Sequence, residues 1–546
     1  MVMLTYTLDE MNEVLKKNFS IERYEEIAFR YGLDLEAGES ALNFEITSDR
    51  IDIASKYALA DVFAESFGTK LKKYRYLGAK KADISIAKTH RPFVNLLHIK
   101  LAGKVGQDLQ EIVKMQERLD KNVGRGRKKA AIGFFDYNKI TFPIVDREES
   151  REKVKFTPLE VSSEKTYNEI INEVKQAQEY SELIGNKPVI WIENGGKIFA
   201  MPPIINSDSH SITENTKEIL VDVTGTDANT VNSVTKILIH NLQFLGEVQI
   251  LIPKKVDKSI STGLSLTAHK FTINCENVKS LLGIDVSMDK IKGTLSAMDY
   301  AVSGKGKDLI VTPPFYRQDI MHQVDIIDDL MRGIGVENIT GIYPHSYTDG
   351  GFLENHYAIE NIKEAMTGFG YQEIDINALT NEKYQFENSF IAGRDYVSLL
   401  RLKSGEVTMV IKNVFPELLR LISNNLHKKF PQNLFSVADV VETGKSDVGF
   451  VNAKRLSIVS CSKEVNVTDI LSIAKKVILD SVDKGEIHAE SSSVFPKTFM
   501  PGREYSIYCG NEKVGFAGEL HPRVLNAFGI ELPIALAEIY LDKFQL

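Results

Sequence analysis

The spacing of apolar and polar positions changes along the chain, and these changes divide it into predicted elements. Residues 20–31 carry apolar side chains at helical spacing and are followed by Gly32, so a helix is predicted to end there. The stretch LNFEI, residues 42–46, alternates apolar and polar side chains, which is typical of a half-buried strand. Residues 1–85 are therefore predicted to form a small N-terminal α+β domain.

Residues 86–262 are longer and mix the two periods. The apolar runs HIKLAG, AAIGFFD, PVIWIE, KIFAMPPI and EILVDV have the length and composition of strands. One helix is predicted over about 107–121 and a second over about 228–245, with Asp227 as the cap of the second. This region is predicted to be a mixed α+β domain.

Two further domains are predicted after residue 262. Residues 263–343 have the order strand, helix, helix, strand and helix, which predicts a small winged-helix-like domain. Residues 344–546 alternate amphipathic helices with strands, beginning with a helix that places Ile359, Ile362 and Met366 on one face. The predicted fold class is thus α+β, distributed over several domains.

Composition narrows the class of protein. At roughly 150 residues per domain, 546 residues predict three or four domains. Lys and Arg number 66 against 74 Asp and Glu, a net charge of −8, which excludes a globally basic nucleic-acid coat but not a local basic patch. Cys275, Cys461 and Cys509 form no CxxC pair, so neither a cysteine zinc site nor a disulfide framework is expected.

The beginning of the chain and its apolar runs bear on location. The N-terminus has acidic residues where a secretory signal would be basic and then apolar. No apolar run approaches the roughly 20 residues that a membrane span needs. We therefore expect a cytoplasmic protein without a membrane partner.

The densest group of acidic residues lies in PPFYRQDIMHQVDIIDDLMRGIG, residues 313–335. The two prolines should end a strand, and a helix is predicted from Ile320 with an aspartate as its cap. Three more aspartates follow at i, i+3 and i+4, where like charges destabilise a helix by roughly 0.2–0.5 kcal/mol per pair. A cation that prefers oxygen ligands, such as Mg²⁺, would offset this repulsion. The four candidate ligands are Asp319, Asp325, Asp328 and Asp329.

The same aspartates allow a second interpretation. An acidic helix face is often simply solvated, and here it could pair with Arg317 and Arg332. The apolar stripe that includes Ile320, Val324 and Ile327 is predicted to face the core, so the aspartates should face away from it. Spacing alone leaves both a metal site and ion pairs open.

A strand-to-helix junction supplies another candidate site. In MPPIINSDSHSITENTKEILVDVTGTD, residues 201–227, a predicted strand brings Asp222, Thr224 and Thr226 to the start of a helix. Polar side chains at such a junction can line a ligand pocket, because free N–H groups at a helix start attract anions. The same residue types also serve as turn and cap residues, so this interpretation stays open as well.

A third stretch, VGRGRKKAAIG at residues 123–133, is basic and rich in glycine. Its glycine spacing and the lack of a GK[ST] ending exclude a Walker A loop. Its cations could contact RNA phosphates or could form a solvated loop; they are Arg125, Arg127, Lys128 and Lys129. No HExxH and no GxSxG motif occurs, so zinc-protease and serine-hydrolase chemistry have no support.

Five stretches, in one order, resemble the beta subunit of archaeal and eukaryotic-cytosolic-type phenylalanyl-tRNA synthetases. They are ITSDRIDIAS (46–55), GRGRKKAAIGFFD (124–136), PPIINS with VDVTGTD (202–227), PPFYRQDIMHQVDIIDDL (313–330) and FMPGREYSIYCGNEKVGFAGELHPRVLNAFGI (499–530). The resemblance extends over essentially the whole chain, and the length is similar to that of archaeal members. Each motif alone is weak, so the specificity lies in their common order.

The resemblance implies a subunit of an aminoacyl-tRNA synthetase, a phenylalanine–tRNA ligase, in an (αβ)₂ heterotetramer. The alpha partner would bind ATP and phenylalanine and charge tRNA(Phe), and residues 344–546 would be a class II synthetase-like antiparallel sheet with helices and no catalysis. Residues 86–262 would be a tRNA-editing domain that hydrolyses tyrosine from tRNA(Phe), and residues 263–343 would bind Mg²⁺ through the four aspartates. The candidate editing residues are Asn206, Ser207, Asp222, Thr224 and Thr226.

The chain departs from the family pattern at four positions. Asp328 stands where glutamate is usual, Ile51 where proline is usual, and Phe135 where many relatives have histidine. Lys412 replaces a usual arginine, which bears on the contact between subunits. The alternative function is a non-catalytic RNA-binding or stand-alone editing protein of the same family, which purification with or without an alpha chain distinguishes.

Overall fold

The computed structural model describes residues 2–38, 41–67, 69–258, 260, 264–304, 308–341, 343, 348–393, 395–400, 406–481 and 486–544. They form two compact units, Met1–Tyr343 and Pro344–Leu546, and each unit contains both helices and sheets. The fold is therefore mixed and multidomain, as the sequence predicted. The predicted boundary positions 263 and 344 lie outside the described residues.

The first part of unit 1 is a three-stranded antiparallel sheet packed with helices, in the order β1-β3-β2. Its elements are β1 (Val2–Thr7), α1 (Leu8–Leu15), α2 (Ile21–Tyr31), β2 (Asp34–Ala37), β3 (Ala41–Ile46) and α3 (Lys56–Ser66). Helix α2 ends as predicted at Gly32, whose φ of 67° is a left-handed conformation that glycine adopts without steric cost. Helix α1 was not predicted, and it begins with a capping box between Thr7 and Glu10.

A nine-stranded sheet fills the middle of unit 1. In chain order the elements of this region are β4 (Tyr76–Ile86), β5 (Phe93–Leu101), α4 (Leu109–Lys121), β6 (Ala130–Asp136), β7 (Ile144–Glu148), β8 (Lys155–Phe156), β9 (Lys165–Thr166), α5 (Tyr167–Glu173), α6 (Lys175–Tyr180), β10 (Val189–Ile192), β11 (Ile198–Met201), β12 (Ile205–Asn206), β13 (Glu218–Gly225), α7 (Ala228–Leu242) and β14 (Gly246–Val256). The sheet order is β12-β11-β10-β7-β4-β14-β5-β13-β6. Asp227 caps α7 as predicted, because its carboxylate accepts the N–H of Thr230.

The sheet is curled, and its two faces differ. Strands β4 and β14, the first and last of the region, lie side by side at its centre and run parallel. Alternate residues of β13 point to opposite faces, so Val221 joins the core beneath α7 while Asp222 and Thr224 face the other side. On that side Phe135 of β6 meets Phe199 of β11 at 5.2 Å between ring centroids, although these strands lie near opposite edges of the sheet. The curl thus encloses the face that carries Asp222.

The last part of unit 1 is a three-stranded sheet with three helices, in the order β15-β17-β16. Its elements are β15 (Phe271–Asn274), α8 (Cys275–Leu282), α9 (Met288–Ala297), β16 (Ala301–Ser303), β17 (Asp308–Thr312) and α10 (Gln323–Ile334). Strand β16 was not predicted, and the remaining order is the predicted one.

Helix α10 begins later than predicted. Its N-cap is His322, and the carboxylate of Asp325 accepts the N–H groups of Met321 and His322 at 2.8 Å each. This capping box satisfies free amides at the helix start, so the helix does not extend back to Ile320. The predicted cap, Asp319, therefore lies before the helix.

The buried face of α10 also differs from its prediction. The buried side chains of this helix are Ile326, Ile327, Asp329 and Leu330. Val324, predicted to face the core, is 44% exposed. Asp329 points inward because its charge is matched by an arginine from the preceding segment, a partner that the apolar pattern could not reveal.

Unit 2 is a seven-stranded sheet with helices, in the order β18-β21-β22-β26-β25-β24-β23. Its elements are α11 (Glu354–Gly368), β18 (Gln372–Glu373), β19 (Leu379–Thr380), β20 (Met409–Val410), α12 (Phe415–Asn424), β21 (Gln432–Thr443), β22 (Phe450–Cys461), α13 (Val467–Ser481), β23 (Ile487–Ser491), β24 (Phe499–Cys509), β25 (Glu512–Leu520), α14 (Pro522–Phe528) and β26 (Ile534–Tyr540). Helices α11 and α13 pack on one face of this sheet and α12 on the other. Among the described residues, no helix has both the length and the apolar character needed to cross a membrane.

Candidate functional site

A cavity of about 430 Å³ opens on the face of the nine-stranded sheet that carries Asp222 and Thr224. Strands β6 and β13 form its floor, the end of α4 and helix α6 contribute its sides, and the segment 202–206 contributes a further wall. This volume is within the range of roughly 300–1,000 Å³ in which proteins bind small ligands.

The five candidate editing residues divide between this cavity and its surroundings. Those that line the cavity are Asn206, Asp222 and Thr224. Ser207 is buried beside the cavity, where its hydroxyl is 2.8 Å from that of Ser209. Thr226 donates its hydroxyl to the carbonyl of Lys128 at 2.9 Å, so it supports the basic turn instead of the pocket.

The floor of the cavity contains two polar atoms without a well-aligned hydrogen bond among the described residues. They are Oδ1 of Asp222 and Oγ1 of Thr224. The other carboxylate oxygen of Asp222 accepts the indole N–H of Trp191 at 3.0 Å. Burial raises the pKa of Asp222 to about 7, an effect that the indole hydrogen bond and the nearby amide of Gly133 only partly offset.

Gly133 makes room for Asp222. The two residues lie opposite each other on β6 and β13, and a Cβ at Gly133 would lie 2.1 Å from Oδ1 of Asp222. Any other residue at position 133 would displace the carboxylate from the floor. The glycine of AAIGFFD therefore has a direct function in shaping the cavity.

Two further buried charged groups lie behind the floor and were not singled out from the sequence. Neither carboxylate oxygen of Asp146 has a hydrogen-bond partner in the described part of the chain. Burial and the nearby Asp222 raise the pKa of Asp146 well above its usual value. Arg91 donates to the carbonyl of Thr224 at 2.9 Å, and burial lowers its pKa to about 10. Ile144 and Asp146 are two residues apart in one strand and therefore share a face. The apolar Ile144 could thus have indicated that Asp146 points inward.

An ion pair at the side of the cavity joins the basic turn to the opposite wall. Oδ2 of Asp120 accepts Nε of Arg127 at 3.0 Å, while Oδ1 accepts the N–H of Ile132 at 3.1 Å. Arg127 also donates to the carbonyls of Pro203 and Ile204, both at 3.1 Å. Burial raises the pKa of Asp120 to about 7, against the opposing effect of the Arg127 charge. Arg127 is thus turned inward, whereas both interpretations of the basic stretch, a phosphate contact and a solvated loop, placed it at the surface.

A hydroxyl–imidazole–carboxylate chain lies near the cavity without lining it. Oγ of Ser209 is 2.9 Å from Nδ1 of His210, and Nε2 of His210 is 3.3 Å from Oε2 of Glu193. Burial lowers the pKa of His210, so the imidazole is neutral and fixes this loop through two hydrogen bonds. None of these three side chains lines the cavity.

A second cavity of about 530 Å³ in unit 1 is lined by charged side chains that, apart from Lys70, have ionic partners. Arg50 pairs with Asp52 at 3.0 Å. Lys73 lies between Asp61 and Asp299, at 2.8 and 2.7 Å. Because these charges pair with one another, this cavity has fewer free polar groups for a ligand than the cavity with Asp222 at its floor.

The four predicted metal ligands are not assembled as one site. Arg317 binds two of them, with Nη2 2.6 Å from Asp319 and Nη1 2.5 Å from Asp329. The hydroxyl of Tyr300 also donates to Asp329. Burial alone would raise the pKa of Asp329, but the Arg317 charge and hydrogen bonds hold it below its usual value.

The other two aspartates are held separately. Asp325 caps α10, and Asp328 pairs with Arg332 at 2.9 Å on the surface. Among the described residues, no group of three His, Cys, Asp or Glu side chains is placed to hold a metal ion. In this arrangement Arg317 and Arg332 pair with three of the four carboxylates, and the fourth, Asp325, serves as a helix cap.

The structure shows the contacts of the other three residues that depart from the family pattern. Ile51 is buried in a short 3-10 turn, and Phe135 is buried against Phe199. Lys412 donates to the carbonyl of Asp395 at 2.7 Å.

In unit 2 a buried polar row crosses the central sheet. Ser436, Ser457 and Glu538 lie in register on β21, β22 and β26. Glu538 accepts the N–H groups of Val414 and Phe415 at 3.0 Å each, which ties the start of α12 to the sheet. Burial raises the pKa of Glu538 to about 7. Helix α12 therefore covers the sheet face on which this row lies.

Two family models match the chain. Residues 271–336 match the tRNA synthetase B5 domain, and residues 339–541 match the CLM domain of the phenylalanyl tRNA synthetase beta chain.

Similar proteins are known from archaea. The phenylalanine–tRNA ligase beta subunit of Saccharolobus solfataricus is 30% identical over 99% of this chain and 98% of its own length. That of Thermococcus sibiricus is 31% identical over 80% of this chain and 78% of its own. Among solved structures, an N-terminal fragment of the phenylalanyl-tRNA synthetase beta subunit from Pyrococcus horikoshii is similar with a TM-score of 0.55 and 25% identity, over 61% of this chain and 99% of the fragment.

Proposed function

The chain belongs to the family of phenylalanine–tRNA ligase beta subunits, and from this premise we propose that its nine-stranded sheet hydrolyses tyrosine that has been attached to tRNA(Phe) in error. Membership makes the chain a subunit of an aminoacyl-tRNA ligase. The observation that carries the hydrolytic proposal is the pair of unpartnered polar atoms, on Asp222 and Thr224, at the floor of the cavity.

These two atoms give the cavity a means of distinguishing tyrosine from phenylalanine. A phenol hydroxyl that reaches the floor can donate to Oδ1 of Asp222 and contact the hydroxyl of Thr224. Phenylalanine would enter the same space but leave both groups unpaired, and an unpaired buried polar group costs roughly 1–3 kcal/mol. A site built to bind a hydroxyl rejects the analogue that lacks it far better than an apolar pocket rejects an added hydroxyl.

The reaction itself is hydrolysis of an ester. Water adds to the carbonyl carbon, the bond from that carbon to the ribose oxygen breaks, and the ribose oxygen takes a proton, which releases tyrosine and tRNA. Asn206 also lines the cavity, and its amide can orient the ester carbonyl or the water. Asp222 and Thr224 act at the other end of the side chain, so they select the substrate and do not touch the scissile bond.

Substitutions at the floor test this function. Thr224→Val removes the hydroxyl without changing the shape, and Asp222→Asn keeps the shape but cannot ionise. Each should reduce the preference for Tyr-tRNA(Phe) over Phe-tRNA(Phe) by about threefold to tenfold, the usual value of one hydrogen bond. Asn206→Ala should instead slow hydrolysis of both esters.

Thr216→Val is the matched control, because its hydroxyl is buried in the same region but donates to Asp136 at 2.8 Å, away from the cavity lining. It should keep the parental preference. If the floor variants and the control behave alike in single-turnover deacylation, selection takes place elsewhere.

We further propose that synthesis takes place in an alpha partner of an (αβ)₂ complex in the cytoplasm. In unit 2 the sheet face beside Glu538 is covered by α12, and the buried Arg455 is paired with Glu442 and Asp542. These contacts leave Arg455 unavailable for the phosphates of ATP. The beta chain alone should show no phenylalanine-dependent pyrophosphate exchange, and adding an alpha chain should restore it; exchange by the pure beta chain contradicts the proposal.

The Mg²⁺ site at the four aspartates stays a prediction. Within this chain, Arg317 pairs with Asp319 and Asp329, whereas Asp325 and Asp328 are less buried and would have to leave a cap and an exposed ion pair to reach a partner surface. The test is assembly with an alpha chain at different Mg²⁺ concentrations. Asp325→Ala with Asp328→Ala should weaken Mg²⁺-dependent assembly if the ion is shared with the partner, and should have no effect if ion pairs alone serve this face.

A further inference from the structure

The basic turn beside the cavity has an unusual backbone. Arg125, Gly126 and Arg127 have φ values of 54°, 63° and 63°, so three successive residues are left-handed and two of them carry large side chains. Residues with a Cβ rarely adopt this conformation, and it persists where the surroundings impose it. The contacts that impose this conformation also determine which side chains of the turn are exposed.

The turn is fixed from both sides. The N–H groups of Gly126 and Arg127 donate to the carbonyl of Asp120, whose carboxylate binds the Arg127 side chain. On the other side, the N–H and hydroxyl of Thr226 donate to the carbonyls of Lys129 and Lys128. These contacts leave the turn little freedom, so its exposed side chains have fixed starting points.

Two glycines allow the turn to approach the sheet. A Cβ at Gly124 would lie 2.4 Å from the carbonyl oxygen of Ala130, and a Cβ at Gly225 would lie 2.2 Å from that of Lys129. Position 225 is the last residue of β13, the strand that carries the cavity floor. The turn is therefore held against the end of that strand.

The side chains of the turn divide into an inward and an outward set. Arg127 is buried and bound to Asp120. The exposed cations of the turn and of the preceding helix end are Lys121, Arg125, Lys128 and Lys129. Within the described residues their side chains make no hydrogen bond or ion pair, although Lys129 lies near the carboxylate of Asp227. Lys121 lines the cavity itself.

We propose that this cationic turn, residues 121–129, binds phosphates of the single-stranded 3′ end of an aminoacylated tRNA and so directs the ester into the cavity. The inference rests on the proposed editing function. A ligand attached to the end of a polyanion brings negative charge to its pocket. Here Lys121 and Arg127 line the cavity, and the turn between and beyond them carries further exposed cations without protein partners among the described residues. The chain as a whole has a net charge of −8, so most of its surface should repel RNA. A local group of unpaired cations, such as this turn, is therefore where RNA is expected to bind.

The test compares a substrate that carries phosphates with one that does not. Lys128→Gln with Lys129→Gln in the full chain removes two outward charges and leaves Arg127, Asp120 and the cavity floor intact. For Tyr-tRNA(Phe), the slope of log rate against log KCl concentration should fall by about 1.4, since each phosphate contact of a single strand contributes roughly 0.7. For tyrosyl-adenosine, which has the same ester and no phosphate, the rate should equal that of the parent.

The matched control is Lys80→Gln with Lys81→Gln, a neighbouring pair of exposed lysines on β4 that does not line the cavity. It should keep the parental salt slope. An unchanged slope in the Lys128 and Lys129 variant, or the same loss in the control, overturns the inference while leaving the editing proposal intact.

If the parent hydrolyses neither substrate, the editing proposal fails, and the turn is then judged by binding. The probe is a fluorescent single-stranded RNA that ends in CCA, and the same decrease in salt slope is expected. Competition by polyglutamate of equal charge separates RNA from an acidic protein partner. Equal displacement by polyglutamate and by RNA shows a general anion surface and overturns the assignment to RNA.

Discussion

Buried aspartates occur in two regions of unit 1, and their surroundings are opposite. In the nine-stranded sheet, Asp222 has a pKa of about 7 and one unpartnered oxygen. At α10, Asp329 of the helix and Asp319 of the preceding segment share the cation of Arg317, and the pKa of the buried Asp329 is lowered. The acid-rich sequence thus folds into a saturated cluster, while the isolated aspartate becomes the chemically incomplete group. In this chain, a buried carboxylate without a partner indicates a ligand site better than a dense group of acidic residues in the sequence does.

Removing the positive charge of Arg317 should have the largest effect on the difference between these two regions. Arg317→Met leaves the buried Asp329 without its cation, and loss of one member of a buried pair costs about 3–5 kcal/mol. Hydrogen exchange of the α10 amides measures the loss. Lys279→Met is the control, because its pair with Asp285 in the same part of unit 1 is exposed and should cost less than about 1 kcal/mol. Equal effects would show that the Arg317 cluster is not the stabilising unit.

The two regions should also respond oppositely to pH. The raised pKa of Asp222 stabilises the fold at low pH, and this stability is lost as the pH rises through about 7. From pH 5 to pH 8 the loss should be about 2–3 kcal/mol from this group, and Asp222→Asn should remove it. The lowered pKa of Asp329 instead gives stability that is lost only as the pH falls below its usual range, so Asp329→Asn should leave the slope between pH 5 and pH 8 unchanged.

Trp191 provides a direct measurement of this titration. It is the only tryptophan of the chain, and its indole donates to Asp222 at 3.0 Å. Its fluorescence should change with a midpoint near pH 7 in the parent and stay flat across that range in Asp222→Asn. A flat response in the parent contradicts the raised pKa.

A smaller effect separates the two acids on the exposed side of α10. Asp325→Ala removes a capping box and should cost about 1 kcal/mol, whereas Asp328→Ala should cost almost nothing because its side chain is 44% exposed. Hydrogen exchange in the first turn of α10 compares them. A larger effect at Asp328 would point to a role that the ion pair with Arg332 does not explain.

The smallest predicted change is at the cavity floor. Thr224→Val should leave stability unchanged or raise it by up to about 1 kcal/mol, because the hydroxyl is buried and unpaired. Thr216→Val should lower stability, since it leaves Asp136 without a hydrogen bond that the parent has. Chemical denaturation of both variants checks the sign, and a destabilising Thr224→Val would show that its hydroxyl has a partner after all.

Local signals in the sequence predicted the parts of the fold that depend on local physics. Helix α2 ends at Gly32 and α7 begins behind Asp227 because a left-handed glycine and a side-chain cap act within one turn. The strand predicted to bring Asp222 and Thr224 to the start of a helix is likewise present as β13, which is followed by α7. Family resemblance added the order of the domains, and the full-length similarity to archaeal beta subunits confirms the family.

Contacts between distant residues were beyond this reasoning. Trp191 reaches Asp222 only because the sheet curls, and Arg127 turns inward only because Asp120 and the carbonyl of Pro203 meet it there. The same holds for Arg317, whose spacing to Asp329 allowed either an ion pair or a shared metal. Sequence patterns indicate which side of a helix or strand a residue lies on. The residue that it contacts on another element depends on the tertiary structure.

The parallel pair at the centre of the sheet also determines how the region should respond to a mechanical load. Tyr76 lies beside Val248 and Ile86 beside Val256, so the chain enters the region at one end of the β4–β14 pair and leaves at the other. Tension along the chain would slide these strands, each about 36 Å long at 3.3 Å per residue, past one another and load their hydrogen bonds together. A hairpin under the same force opens one bond at a time. The region that holds the cavity should therefore resist stretching while neighbouring parts of the chain move.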